Sequence, residues 1–161
     1  MQIKAQKCYT DHIMQALVSY KKANLNYEIL ERFEAGMELF GFEVKSLRNH
    51  LGSLDGSHVT IRGGEAYLIN ANIPPYQQAN APKGYDPLRN RRLLLNRKEL
   101  AVLAGTEQQR GLTIVPISVY NKGAKLKLEI GIARGRKKYD KREVIKKRDS
   151  KREIERTLKT R

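Results

Sequence analysis

Over much of this chain apolar residues recur at every second position, and glycine or asparagine marks where the pattern breaks. "HVTIRGGEAYLINANI" carries Val59 and Ile61, then Gly63-Gly64, then Tyr67, Ile69, Ala71 and Ile73. Two alternating runs about a Gly-Gly pair predict a β-hairpin, because a two-residue turn needs residues that tolerate positive φ. "LTIVPISVYNKGAKLKLEIGIA" repeats the theme. Val115, Ile117 and Val119 alternate, Asn121-Lys122-Gly123 turns, and Leu126, Leu128, Ile130 and Ile132 return against polar Lys125, Lys127 and Glu129. In "FEAGMELFGFEV" the alternation of Phe33, Ala35, Met37 and Leu39 slips at Gly41 and resumes at Phe42 and Val44, which predicts a bulged, bent strand.

Helical periods are scarcer. In "NRKELAVLAG", Asn96 with Glu99 three residues on has the form of a capping box, and Gly105 is a natural stop, so one short helix is expected there. Ile13, Met14, Leu17 and Val18 are spaced as one face of a short N-terminal helix. The stretch Pro74–Arg92, "PPYQQANAPKGYDPLRNRR", has no period of its own. It sets Tyr76 and Tyr85 among Arg89, Arg91 and Arg92, ring faces and guanidinium forks that suit unpaired bases and phosphates; the alternative is a solvated loop on a Pro-stiffened path.

These runs predict a mainly β fold: five or six curved strands and one to three short helices over residues 21–133. Such a set closes most simply into a small OB-like barrel, ahead of an SH3-like barrel or an open α+β sheet. Residues 1–20 form an N-terminal extension to which the pattern assigns no clear structure, and 134–161 a basic C-terminal tail.

Charge sharpens the picture. The chain of 161 residues carries a formal +15, unevenly. The last 28 residues hold 14 Lys and Arg against 5 Asp and Glu, a net +9, leaving +6 for the other 133. A basic body with a strongly basic arm points to a polyanionic partner. The arm pairs Glu143 with Lys147, Asp149 with Arg152 and Glu155 with Lys159 at helical spacing. Each pair favours a helix by roughly 0.2–0.5 kcal/mol, too little to hold a polar helix together alone in water, so coil is expected outside a partner. The arm's apolar residues are too scattered for a membrane anchor. No run approaches a membrane span, and residues 1–22 lack the continuous apolar centre of a signal peptide. A single cysteine, Cys8, fits a reducing cytoplasm.

Catalytic chemistry is hard to assemble from these residues. His12, His50 and His58 share no metal-ligand spacing with Cys8, and no phosphate-binding glycine loop or nucleophile elbow is present. Glu34, Glu38 and Glu43 are the carboxylates a metal-dependent nuclease would need, but their setting among Lys and Arg reads as a solvated, salt-paired surface. A non-catalytic chain without cofactor or metal is expected.

With "FEAGMELFGFEVKSLR", "DPLRNRRLLLNRKEL" and "YDKREVIKKRDSKREIE" in order along one chain, the sequence resembles the bacterial SsrA-binding protein family, small protein B, from about Tyr20 to the C-terminus. The resemblance implies a non-catalytic RNA-binding factor of trans-translation. Such a factor binds transfer-messenger RNA through an OB-like body. It helps bring that RNA, with elongation factor Tu and GTP, to stalled ribosomes. Its tail, disordered alone, becomes helical in the empty mRNA channel beside the decoding centre.

Carried over by motif, the RNA-contacting residues are Glu34, Leu94, Asn96 and Gly135. Basic Lys21, Lys22, Lys45, Arg89, Arg91, Arg92 and Lys98 complete the expected RNA face. The tail triplet matches Asp140, Lys141 and Arg142, preceded by Tyr139, able to stack on a ribosomal base. Lys137, Lys138, Lys146, Lys147, Arg148, Lys151, Arg152 and Ile154 are the remaining expected ribosome contacts. Tyr20, Asn24 and Leu25 depart from the family's pattern. Composition alone leaves open a structural ribosomal or ribosome-assembly protein that binds rRNA.

Overall fold

The computed structural model describes residues 16–159. Its strands are β1 (Ala16–Ser19), β2 (Tyr27–Met37), β3 (His58–Arg62), β4 (Glu65–Ile69), β5 (Arg91–Leu94), β6 (Leu112–Lys122) and β7 (Lys125–Gly135). The helices are α1 (Ala23–Asn26), α2 (Gly41–Arg48), α3 (Arg97–Glu107) and α4 (Lys138–Lys159). All pairings are antiparallel, in the order β1-β6-β3-β4-β5-β2-β7, and β7 pairs back onto β6. Strands β2 to β7 therefore close into a ring, the expected OB-like barrel, with β1 added outside on β6. The closure is thin at β3–β6, a single pair Val59↔Ile114, and thick at β2–β7 and β6–β7.

The core follows from alternation. Leu68, Leu93, Ile114, Leu128 and Ile130 point inward, and Leu47, Leu54 and Leu103, from outside the barrel strands, join them in one buried cluster. Burying each such side chain contributes about 1.5–3 kcal/mol.

The Gly63-Gly64 turn lies where expected, with φ of 59° and 78° as a primed hairpin turn requires. The second hairpin turns at Gly123-Ala124, one step later than read, since Lys122 pairs with Lys125. Leu128, Ile130 and Ile132 do line the inner face of β7, and Leu126 packs against it.

Four expectations are corrected. In β4 the inward residues are Ala66 and Leu68 rather than Tyr67 and Ile69; Asn70, at φ 59°, then resets the phase so that Ala71 and Ile73 are buried. In β6 a bulge between Pro116 and Ser118 transfers the inward phase from Ile114 to Val119. Leu17 and Val18 belong to β1, not to a helix, so the sheet begins inside the expected extension; Ile13 and Met14 lie outside the described residues.

The fourth correction concerns the end of β2. Phe42 and Val44 do not continue a bent strand: β2 ends at Met37 and the chain enters α2. Glu43 sits three residues past Phe40 and accepts the Phe40 N–H at 2.8 Å, the acidic half of a capping box. Further along, α3 has the same device, Glu99 accepting the Asn96 N–H at 3.1 Å, but it runs through Gly105 to Glu107. Glu107 is held there by the Thr60 hydroxyl at 2.6 Å and the Ile61 N–H at 3.0 Å.

Candidate nucleic-acid interface

The outer face of β2, β6 and β7 gathers the first group of expected residues. Glu34 projects from β2 opposite Glu129 of β7. Its carboxylate accepts the Tyr120 hydroxyl at 2.6 Å and both its oxygens lie 2.9 Å from Lys122 Nζ; Lys127 Nζ is 3.8 Å away. Burial alone would push this carboxyl up, but the Tyr120 and Lys122 hydrogen bonds and the two ammonium charges outweigh it and hold Glu34 below the usual carboxylate range. Glu34 is thus a fixed, ionised acceptor set within a basic strip, able to receive base or ribose donors while lysines meet the adjoining phosphates.

Leu94 stands two positions up the same face. It pairs with Gly36, where a Cβ would come within 3.2 Å of Leu94 Cβ, so glycine is what lets the leucine cross β2. Its side chain is 54% exposed and forms the ridge between two open grooves. One, of about 350 Å³, includes Met37, Val44, Lys125 and Lys127; the other, of about 370 Å³, includes Glu65, Arg92 and Asn96. Arg92 pairs with Glu65 at 2.5 Å and keeps nearly half its side chain exposed. Lys45 and Lys98 are exposed on α2 and α3, and Arg48 ties α2 to the β6–β7 turn by donating to Ala124 O at 2.9 Å. An apolar ridge flanked by lysine and arginine suits a sugar-phosphate backbone with splayed bases.

Three expected contacts are corrected. Arg91 is wholly buried, and Arg89 is turned inward from its edge of the loop. Both reach Glu43, which is itself 0% exposed and so is not the solvated surface residue its sequence setting suggested. Glu43 Oε1 accepts Arg89 Nε at 2.9 Å, Arg91 Nε at 3.0 Å and the Tyr85 hydroxyl at 2.8 Å, while Oε2 accepts Arg89 Nη2 at 2.6 Å. Arg91 also donates to Ala71 O, Arg89 O and Pro87 O and to the Tyr85 hydroxyl, so every guanidinium N–H is satisfied. Tyr85, expected to face a base, instead packs edge-on against Phe42 at 4.8 Å. Tyr76 remains exposed.

Burial, the largest influence on Glu43, would raise its carboxyl. The Arg89 fork, the Phe40 N–H, Tyr85 and the Arg91 charge together bring it below the ordinary 4.5. A depressed folded value adds stability above the unfolded value, and that stability is lost as pH falls through the folded one. Urea unfolding should therefore show stability declining below about pH 4.5, with the Glu43→Gln protein less stable at pH 7 but flatter through the acid range.

The second group of expected residues lies at the far end of β2 and β7, about 30 Å away at ~3.3 Å per residue. Lys21 and Lys22 are exposed before α1, and Gly135 pairs with Tyr27. Arg136 anchors the arm's root, its N–H on Asn26 O at 2.8 Å and its Nε on Tyr27 O at 3.2 Å. Asp140 then accepts the Lys137 N–H at 3.2 Å, and α4 runs on for 22 residues. The arm in this structure is thus the helical form, its first turn closed by Asp140 and fixed to the body. Lys141 is half-buried at this root; Arg142, Lys146, Lys147, Arg152 and Ile154 are exposed. The side chains of Lys138, Tyr139, Arg148 and Lys151 lie outside those described.

Lys122, Lys125 and Tyr120 were absent from the expected set. The alternating Lys125–Lys127 on the polar side of β7 was the signal that could have found them. Among the described residues no group of three His, Cys, Asp or Glu side chains could hold a metal, and no helix is long and apolar enough to cross a membrane. His50 has a structural place, with Nδ1 2.9 Å from Leu17 O.

A closed OB-like barrel with a basic, leucine-ridged face and a basic helical arm defines a nucleic-acid-binding protein. A family model described as SmpB protein matches residues 17–160. The SsrA-binding protein of Mesoplasma florum is 55% identical over 129 residues, 80% of this chain and 87% of that one. That of a Sulfurihydrogenibium species is 50% identical over 145 residues, 90% and 95% of the two chains. The chain belongs to the SmpB family. A solved chain described as "tmRNA-SmpB: a journey to the center of the bacterial ribosome" is 43% identical, with a TM-score of 0.63 over 74% of this chain and 84% of that one.

Proposed function

We propose that this protein is a non-catalytic RNA-binding factor. It holds transfer-messenger RNA by the Glu34–Leu94 face and carries it to stalled ribosomes in the cytoplasm, where elongation factor Tu with GTP engages the same RNA. The observation that carries this reading is the juxtaposition of an ionised Glu34, an exposed Leu94 and flanking lysines on one rigid wall of the barrel, in a chain of the SmpB family. The +9 arm supplies the second half. From Ile145 onward every described side chain of α4 is exposed. Off the ribosome nothing repays the ordering of those turns, so the arm exchanges between helix and coil. In an mRNA channel walled with phosphates, self-repulsion gives way to attraction and counterion release, and α4 persists. A message in the channel excludes it. In this way the arm reports an empty channel without chemistry.

The test is a gel-shift titration of the full chain against the transcribed tRNA-like part of transfer-messenger RNA at several salt concentrations. Tight binding with a log–log salt slope of several units is expected. Lys45→Ala with Lys125→Ala should lower that slope by about 2, whereas Leu94→Ala should weaken binding and leave the slope unchanged. No preference for this RNA over bulk rRNA would favour the ribosomal-protein reading instead.

A further inference from the structure

The stretch Arg91-Arg92-Leu93-Leu94-Leu95 is nearly self-similar under a shift of one residue. Moving it by one would put Arg92 where Arg91 is and Leu94 where Leu93 is, and the hydrophobic pattern would barely register the change. Yet a one-residue slip turns every side chain of a strand to the opposite face. β5 is also short: it pairs with β2 only at Gly36↔Leu94 and Met37↔Leu93, and with β4 over three residues. Backbone pairing of that extent does not distinguish two equivalent registers strongly.

The buried cluster does. Arg91 is gripped from the inside by Glu43, by the Ala71, Pro87 and Arg89 carbonyls and by the Tyr85 hydroxyl. Arg89, two residues earlier on the same side, closes the second flank of Glu43 at 2.6 Å and donates to Glu38 O at 3.3 Å. After a slip, the side chains offered to Glu43 would be Asn90 and Arg92, and Asn90 has no fork with which to complete the cluster. A buried carboxylate that meets two guanidinium groups only in one alignment is a device for register, in the way a buried polar residue fixes a coiled coil.

We propose that Glu43 is a positioning residue for RNA binding: by holding Arg89 and Arg91 inside, it locks the register of β5 and so keeps Arg92 and Leu94 on the RNA face. The dependence of RNA affinity on this lock rests on the proposed RNA-binding function; the lock itself does not.

Thiol labelling tests the lock directly. In a full-length Cys8→Ser background, Leu93→Cys and Leu94→Cys proteins are each treated with a maleimide, with and without Glu43→Gln. With Glu43 present, the thiol at 94 should react at least about tenfold faster than the thiol at 93, matching exposures of 54% and 4%. With Glu43→Gln that ratio should fall several-fold while near-ultraviolet circular dichroism still shows a folded protein. In the natural-cysteine chain, Glu43→Gln should weaken binding to the tRNA-like RNA fragment about fivefold or more.

An unchanged ratio in folded Glu43→Gln protein overturns the proposal, as does an equal acceleration of both thiols, which is what loosening of the whole fold would give. Should Glu43→Gln not fold, Tyr85→Phe, which removes one hydroxyl from the cluster, must lower the ratio in the same sense, and a ratio that stays put overturns the lock. If the chain with Glu43 intact does not bind the RNA fragment, the RNA-binding reading fails while the labelling ratio still decides the register.

Discussion

Removing Lys138–Arg161 is expected to leave affinity for the tRNA-like RNA fragment within about threefold of the full chain while abolishing tag addition on stalled ribosomes. The body retains Glu34, Leu94, Arg92 and the lysines of β6 and β7, all fixed by strands that pair without help from α4. The part lost is long-range charge, so the salt slope should fall modestly. In the proposed function tagging needs the arm inside the ribosome, and no other described element offers a 22-residue basic helix. A gel-shift titration beside a reconstituted tagging assay separates the two. Equal losses in both would show that the arm is part of the RNA grip. Within the arm, Asp140→Ala should damage tagging more than Lys159→Ala, since Asp140 closes the first helical turn on the Lys137 N–H whereas Lys159 lies at the far end of α4.

Arg91→Ala should lower the free energy of unfolding by about 3–5 kcal/mol. The substitution leaves the Glu43 carboxylate buried with one guanidinium instead of two and strips donors from the Ala71, Pro87 and Arg89 carbonyls. Arg92→Ala, one residue along, removes only an exposed pair with Glu65 and should cost under about 1 kcal/mol. Urea denaturation gives both numbers. The double change Arg91→Met with Glu43→Leu should be less destabilising than Arg91→Ala, because Arg89, a quarter exposed, can turn to water once the carboxylate is gone. A double variant worse than the single would mean that packing, not the stranded charge, dominates the site.

The barrel was legible because its evidence is local. Period-two runs around Gly63-Gly64 and before and after Gly123 describe strands that pair with their sequence neighbours, and Asn96–Glu99 announces a helix start within four residues. Misreadings came where one pattern serves two structures. Phe42 and Val44 continue an alternation from β2, yet on a helix they flank a buried stripe of Glu43, Ser46 and Leu47, and what decides is Glu43 folding back on Phe40.

The cluster beneath the loop was illegible for a different reason. Charged residues default to the surface, and Glu43 and Arg91, 48 positions apart, become buried only because each finds the other. Nothing at either position signals the partner. The same physics divided the candidate site. Glu34, Leu94 and Asn96 came from motif resemblance and do lie along one side of the barrel, whereas of three nearby arginines that composition treats alike, Arg89 and Arg91 turn to Glu43 and Arg92 faces outward to Glu65.

The ladder from Tyr27↔Gly135 to Gly36↔Lys127 has a mechanical consequence. The Glu34–Leu94 face proposed to hold RNA lies at one end of β2 and β7, and the arm departs from the other. Tension between a seated arm and a cargo held at Leu94 therefore runs parallel to both strands. A pair pulled along its axis must break all its hydrogen bonds together, whereas a pair pulled sideways opens one rung at a time. The wall joining the two ends is thus oriented as a strut, and hauling a large RNA through a crowded machine would load it in its stiffest direction.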